Sequence, residues 1–315
     1  MVVGEEVIWK NPKLLGNCPI KLVTTISLFL SLCLSQTAAG DAESLAFRHG
    51  VSQIPNYELK YPPDFAHFEY VSLDALKGGT LVLPYTWRYS SVSPMAKPVG
   101  YDFSYDKLIV RAADEVSGYY CSLAESVAVS GDGRKIVFRL RPEARWHDGV
   151  PITAADIKFS LDSFREQIDG GWKGLLGWII SVEALGPLTV VISTASDAAK
   201  QIPLLAGVPI VPAHYWRERD LTDATMDPGI QSGPYRLAAA IPGRYFAYTR
   251  VPDYWGRDLP VNRGRFNFDT IRYDYYLDAT VAREALRAGL FDVWTENDLR
   301  HWLSSYKIPA LEQGL

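Results

Sequence analysis

A chain of 315 residues, 48% apolar and 22% charged, has the composition of a globular protein with room for about two domains and a sizeable core. Its formal net charge of −4, with no basic stripe, argues against a nucleic-acid binder. Three cysteines, two of them in the first 39 residues, offer neither an internal disulfide framework nor a zinc-spaced Cys/His cluster.

The first predicted element is an exported leader. Residues 22–35 form an apolar run preceded by Lys10, Lys13 and Lys21 and followed by Thr37-Ala38-Ala39, small residues suited to a signal peptidase. The run is shorter than the ~20 residues of a spanning helix and fits a signal-peptide core, with cleavage expected near Ala39. Leu32 stands before Cys33 where lipidation would want a small residue. Cys18 and Cys33 leave with the leader, and Cys121 reads as a small buried residue rather than a nucleophile.

Residues 40–77 read as an extended arm, broken by Pro62-Pro63 and pinned by Tyr61, Phe65, Phe68 and Tyr70. Lys77–Leu83 is a first strand. Asp106–Ala113 has a helical pattern. A strand at 127–130 and a second from Lys135 to Arg141 are joined by Gly131-Asp132-Gly133, a hairpin signal. Thr153 and Asp156 have capping-box spacing, so a helix should start at Ala154 and bury Ile157, Leu161 and Phe164. His147 beside Asp148 suggests an acid/base pair, but neighbours in a turn point different ways, and turn chemistry is the better reading.

Gly170–Gly177 is glycine-rich without the spacing of a phosphate loop and reads as a flexible excursion. Residues 182–193 give two short strands around Gly186-Pro187, and Pro212 opens a helix whose His214 is expected to pack or cap. Strands follow at Tyr245–Arg250 and Thr270–Leu277, the latter alternating Ile271, Tyr273 and Tyr275. A helix at 278–289 has Thr280 near its cap and Gly289 at its end, and Phe291–Trp294 reads as one more strand.

The run Trp146-His147-Asp148-Gly149-Val150-Pro151-Ile152-Thr153-Ala154-Ala155-Asp156-Ile157 resembles the signature of the ABC-transporter extracellular solute-binding proteins, family 5, the peptide/nickel class. Ser232-Gly233-Pro234-Tyr235 and Pro252-Asp253-Tyr254-Trp255 resemble two further marks of that family. The arm from Tyr61 to Val71 and the run Asp258–Asp269 resemble its microcin-C and murein-peptide branch.

The resemblance implies an α/β fold of the periplasmic-binding-protein type II kind, with a core lobe and an inserted small α/β subdomain. On this reading the chain divides into a signal peptide (1–39), an arm (40–77), a core lobe (78–91 and 190–277), an inserted subdomain (92–189) and the start of a second lobe (278–315). That second lobe would be largely missing. It further implies a periplasmic protein, expected to be monomeric, that captures short peptides or peptide-like solutes for an ABC permease of the inner membrane, with no cofactor. In relatives the loop after the first core strand lines the ligand groove, which makes Trp87, Arg88 and Tyr89 candidates, with Ser232 and Tyr235 from the Ser-Gly-Pro-Tyr mark. Ser90 and Ser93 depart from the family pattern in that loop, and aromatics packed on their own lobe are the alternative there.

Two other readings compete. A truncated, non-binding product is compatible with a resemblance that covers residues 45–315 but about half of a family member. A secreted hydrolase would need a nucleophile and base. The chain has no G-x-S-x-G or H-E-x-x-H, and His49, His67, His147, His214 and His301 are scattered.

Overall fold

The computed structural model describes residues 45–89, 91–166, 171–195, 197–304 and 306. The leader expected at 1–39, with its cleavage point, Cys18 and Cys33, lies outside the described residues, as does Ser90. In chain order the strands are β1 (Gly50–Val51), β2 (Thr80–Tyr85), β3 (Ile109–Arg111), β4 (Tyr119–Cys121), β5 (Ala124–Val129), β6 (Lys135–Leu140), β7 (Ile179–Ala184), β8 (Thr189–Thr194), β9 (Tyr235–Ile241), β10 (Tyr245–Arg250) and β11 (Thr270–Tyr275). The helices are α1 (Ala154–Glu166), α2 (Gly171–Leu176), α3 (Ile202–Leu205), α4 (Ala213–Trp216), α5 (Ala279–Arg287) and α6 (Leu299–Ser304).

The strands form three sheets among the described residues. The antiparallel sheet β5-β6-β8-β7 buries Ile136, Phe138 and Leu140 on one face of β6 and Val190 and Ile192 on β8. Period-two alternation puts these side chains on one face, against the Ile157, Leu161 and Phe164 stripe of α1. Trp146, Trp172, Ile202, Val211 and Trp216 complete this cluster. The boundary expected at residue 190 therefore moves. Residues 190–221 contribute their buried side chains to this cluster and not to the core-lobe sheet.

That core-lobe sheet has the order β2-β11-β10-β9, with β2 and β11 parallel and the other pairs antiparallel. Tyr85, Val92, Tyr235, Phe246, Tyr248 and Ile271 form its buried cluster. The small sheet β1-β4-β3 holds the arm. Tyr61, Phe65 and Phe68 surround the Tyr120 ring at centroid distances of 5.5, 5.4 and 5.6 Å, all edge-on, and Tyr70 stacks on Phe68 at 5.1 Å. The four aromatics expected to pin the arm do so.

Three local expectations need correction. The helical pattern at Asp106–Ala113 gives way to β3, because β-branched Ile109 and Val110 pair with Cys121 and Tyr120 of β4. The glycine-rich excursion contains α2, held down by Trp172 stacked on Phe164 at 5.0 Å. Thr280 does lie near the cap of α5, and Asp278 is the cap itself, accepting from the amides of Thr280 and Val281 at 2.8 and 2.9 Å. Phe291–Trp294 is not a strand. Its one link to β2 is Asp292, whose amide donates to the Val82 carbonyl and whose carboxylate accepts from the Val82 amide.

Candidate ligand-binding site

The signature run proves to be a set of interlocked turns. Trp146 is buried, and its amide donates to the Val150 carbonyl across a turn that places Gly149 at φ 87°. His147 points one way, its Nε2 donating to the Gly233 carbonyl at 2.8 Å, and burial lowers its pKa. Asp148 points the other way, accepting from the Val150 amide at 3.0 Å and pairing with His214 at 2.9 Å. His147 and Asp148 are thus no acid/base couple. At the start of α1, the buried carboxylate of Asp156 accepts from the Thr153 amide (2.8 Å), the Thr153 hydroxyl (3.0 Å) and the Ala213 amide (2.9 Å). The expected cap forms, with the hydroxyl turned to the carboxylate, and it also ties α1 to α4.

Ser232 and Tyr235, expected to contact ligand, are placed elsewhere. Ser232 is fully covered and its Oγ accepts from the Asp106 amide at 3.0 Å. Tyr235 is equally buried and donates to the Phe268 carbonyl at 2.7 Å. Between them Gly233 lies so close to the chain that a Cβ would sit 2.4 Å from the Phe103 carbonyl oxygen. The physical reason for the Ser-Gly-Pro-Tyr mark here is this backbone approach. The Tyr254-Trp255 mark serves the same knot. Tyr254 Oη and Trp255 Nε1 donate to the two oxygens of Asp106, at 2.6 and 2.8 Å, while burial pushes the Asp106 carboxyl up to about 6.

The other three candidates lie together. Register places Tyr85, the last residue of β2, beside Tyr275, the last of β11, and because the two strands are parallel both carboxyl ends open on one edge of the sheet. Crevices outside the carboxyl ends of parallel strands are where open α/β sheets bind ligands. A cavity of about 600 Å³ opens there, lined by Tyr85, Arg88, Tyr89, Tyr275 and the Pro242-Gly243 turn between β9 and β10. Tyr85 packs edge-on against Tyr275 at 5.5 Å and faces Tyr89 at 6.1 Å. Arg88 Nε donates to Tyr275 Oη at 2.8 Å, and the guanidinium carbon lies 5.8 Å from that ring's centroid. Trp87 is 76% exposed beside them, a large apolar surface offered to solvent. Burial pushes the Tyr85 phenol up to about 12 and raises that of Tyr89, so both are neutral hydrogen-bonding groups at physiological pH.

Sequence reasoning missed Tyr85 and the Pro242-Gly243 turn, and did not name Tyr275 as a ligand-binding residue. Tyr275 shows in the sequence as one alternating position of a core strand, and only the parallel pairing brings it to Arg88. A larger cavity, about 1010 Å³, lies among Met95, Lys97, Trp172, Trp216 and Arg217. It sits away from the strand ends, and the Trp172 and Trp216 indole nitrogens near it are covered. The tyrosine-lined crevice, at the carboxyl ends of the parallel strands, is the better candidate.

Comparison with known proteins bears on the fold and on the family. The profile described as bacterial extracellular solute-binding proteins, family 5 Middle, matches residues 118–313. The protein YejA of Escherichia coli is 39% identical over 257 residues, covering 79% of this chain and 42% of the relative. The probable peptide-binding protein YejA of Agrobacterium fabrum is 32% identical over 308 residues, covering 94% of this chain and 50% of the relative. The chain spans about half the length of the curated relatives it matches. Among solved structures, the oligopeptide-binding protein AppA of Bacillus subtilis, in complex with a nonapeptide, superposes with a TM-score of 0.62 at 22% identity, covering 74% of this chain and 47% of AppA.

Proposed function

Because the chain belongs to the bacterial extracellular solute-binding proteins of family 5 and has the type II periplasmic-binding-protein fold, we propose that it is the substrate-binding component of an ABC transporter, capturing short peptides or peptide-like solutes for import. The observation that carries this reading is the crevice at the carboxyl ends of β2 and β11, where Tyr85, Arg88, Tyr89 and Tyr275 converge and Trp87 stands exposed.

The chemistry of that crevice suits a peptide. Neutral phenols donate and accept, matching the alternating donors and acceptors of an extended backbone, while the aromatic rings take side chains. Such sites hold ligand through a few fixed polar groups and many apolar contacts, with water filling the remainder. The Agrobacterium relative is described as a probable peptide-binding protein and AppA as an oligopeptide-binding protein, and the same role is proposed here in preference to catalysis. Export through the leader at 1–39, action as a monomer in the periplasm and delivery to an inner-membrane permease complete the proposal.

The test is to express the chain with its leader, recover it from the periplasm and identify by mass spectrometry what leaves it on denaturation. Short peptides or peptide-like molecules, lost from a variant carrying Trp87→Ala and Tyr275→Ala together, are the expected result. A recovered chain carrying no small molecule and giving no heat with tri- to pentapeptides contradicts the proposal.

A further inference from the structure

We infer that Arg88 is a specificity-determining residue that selects ligands bearing a carboxylate, an inference that rests on the peptide-capture reading of the same crevice. Arg88 is the cation among the residues lining the cavity, and no carboxylate lines it. Among the described residues Arg88 forms no ion pair. Its one hydrogen bond runs from Nε to Tyr275 Oη at 2.8 Å. That bond, with the Tyr275 ring 5.8 Å from the guanidinium carbon, orients the plane of the group and leaves the Nη1 and Nη2 edge for a ligand. Two parallel N–H donors on one edge match the two oxygens of a carboxylate, which a lysine ammonium cannot do.

Asp274, a carboxylate whose charge reaches Tyr85, is engaged elsewhere. Asp274 precedes Tyr275 in β11, so alternation sends its side chain to the opposite face, where it accepts from Arg272 Nε at 2.7 Å. The Tyr85 and Tyr89 phenols, raised by burial, are neutral and cannot offset its charge. The crevice therefore holds one oriented, exposed cation with no carboxylate partner among the described residues, and a ligand carboxylate can make a charge-assisted hydrogen bond to it. A ligand carboxylate would be stabilised there, and an ammonium group would be repelled. The phenol of Tyr275 acts beside Arg88 as a positioning group.

The experiment compares three tripeptide amides, Ala-Glu-Ala, Ala-Gln-Ala and Ala-Lys-Ala, each acetylated so that the central side chain alone carries charge. Binding to the full chain is followed by nuclear magnetic resonance at the Trp87 indole and Arg88 Nε–H signals, which reads millimolar affinities. We expect the Glu peptide to bind about tenfold or more tighter than the Gln peptide, and the Lys peptide to bind weakest. In Arg88→Gln the Glu and Gln peptides should become equal, and Arg88→Lys should restore only part of the preference. Equal affinities for the Glu and Gln peptides in the parent chain overturn this inference and leave peptide capture standing. Binding of none of the three, nor of any peptide in a mixed pool, overturns both.

Discussion

Asp106 shows how much one buried carboxyl can organise, and its ionisation gives a test. Tyr254 Oη and Trp255 Nε1 donate to its two oxygens and its amide donates to Ser232. Burial is nonetheless the largest influence, and raises its pKa from an ordinary 3.8 to about 6. The fold thus holds this proton more tightly than the unfolded chain does. The contribution to stability is full below pH 3.8 and is lost as pH rises through about 6. Two pH units correspond to about 3 kcal/mol. In denaturant unfolding, the advantage of the parent chain over Asp106→Asn should shrink between pH 4 and pH 7. An advantage that grows over that interval contradicts the assignment. Thr153 offers a second residue-scale test. Its hydroxyl supports the Asp156 carboxylate, and neither residue lines the crevice, so Thr153→Ala should cost about 1 kcal/mol in unfolding free energy and leave peptide affinity unchanged. Affinity lost without stability would make the signature run part of the binding site. At this scale the sequence was legible where a motif has a local cause. The Thr153–Asp156 cap and the burial of Trp146 and Cys121 follow from neighbours in the chain. The Asp106 knot was not legible, because its donors stand 148 and 149 positions away.

Among the elements, the strands that alternate cleanly and the helix with a local cap could be read before the structure, since period and cap are properties of the segment itself. Those β6, β8, β10 and β11 assignments and the start of α1 hold. The failures have a shared physical cause, that tertiary contacts overrode weak local preference. Short β3 exists because β4 is there to pair with, and α2 because Phe164 offers Trp172 a ring to stack on. The Ser232–Tyr235 segment was legible as a mark but not as a role. Ligand contact was expected, and the structure gives a close backbone crossing instead. Gly233→Ala tests that crossing. Its φ is not in the left-handed region, so any cost is steric, from a Cβ placed 2.4 Å from the Phe103 carbonyl oxygen and 2.8 Å from the Ser104 carbonyl carbon. Unfolding free energy should fall by about 1–3 kcal/mol. A variant as stable as the parent would show that the Phe103–Ser104 segment yields easily.

For the molecule as a whole, the arrangement of sheets matters more to function than any single motif. The β5-β6-β8-β7 layer and α1 carry the largest apolar cluster and most of the recognisable signature, yet they lie apart from the proposed site. The crevice arises at the end of the core-lobe sheet because β2 and β11, whose partners Tyr85 and Tyr275 are 190 positions apart along the chain, run parallel and end together. That juxtaposition explains why the loop at 87–89 could be picked out from the sequence while its partners could not. The choice between two cavities follows from the same geometry and can be measured directly. Hydrogen exchange read by mass spectrometry, with and without a saturating pool of tri- to pentapeptides, should show slowed exchange in the segments containing residues 85–89, 242–244 and 275–276. Slowing confined to the segments containing residues 95–97, 171–176 and 216–222, around the larger cavity, would contradict the account and move the binding site away from the strand ends.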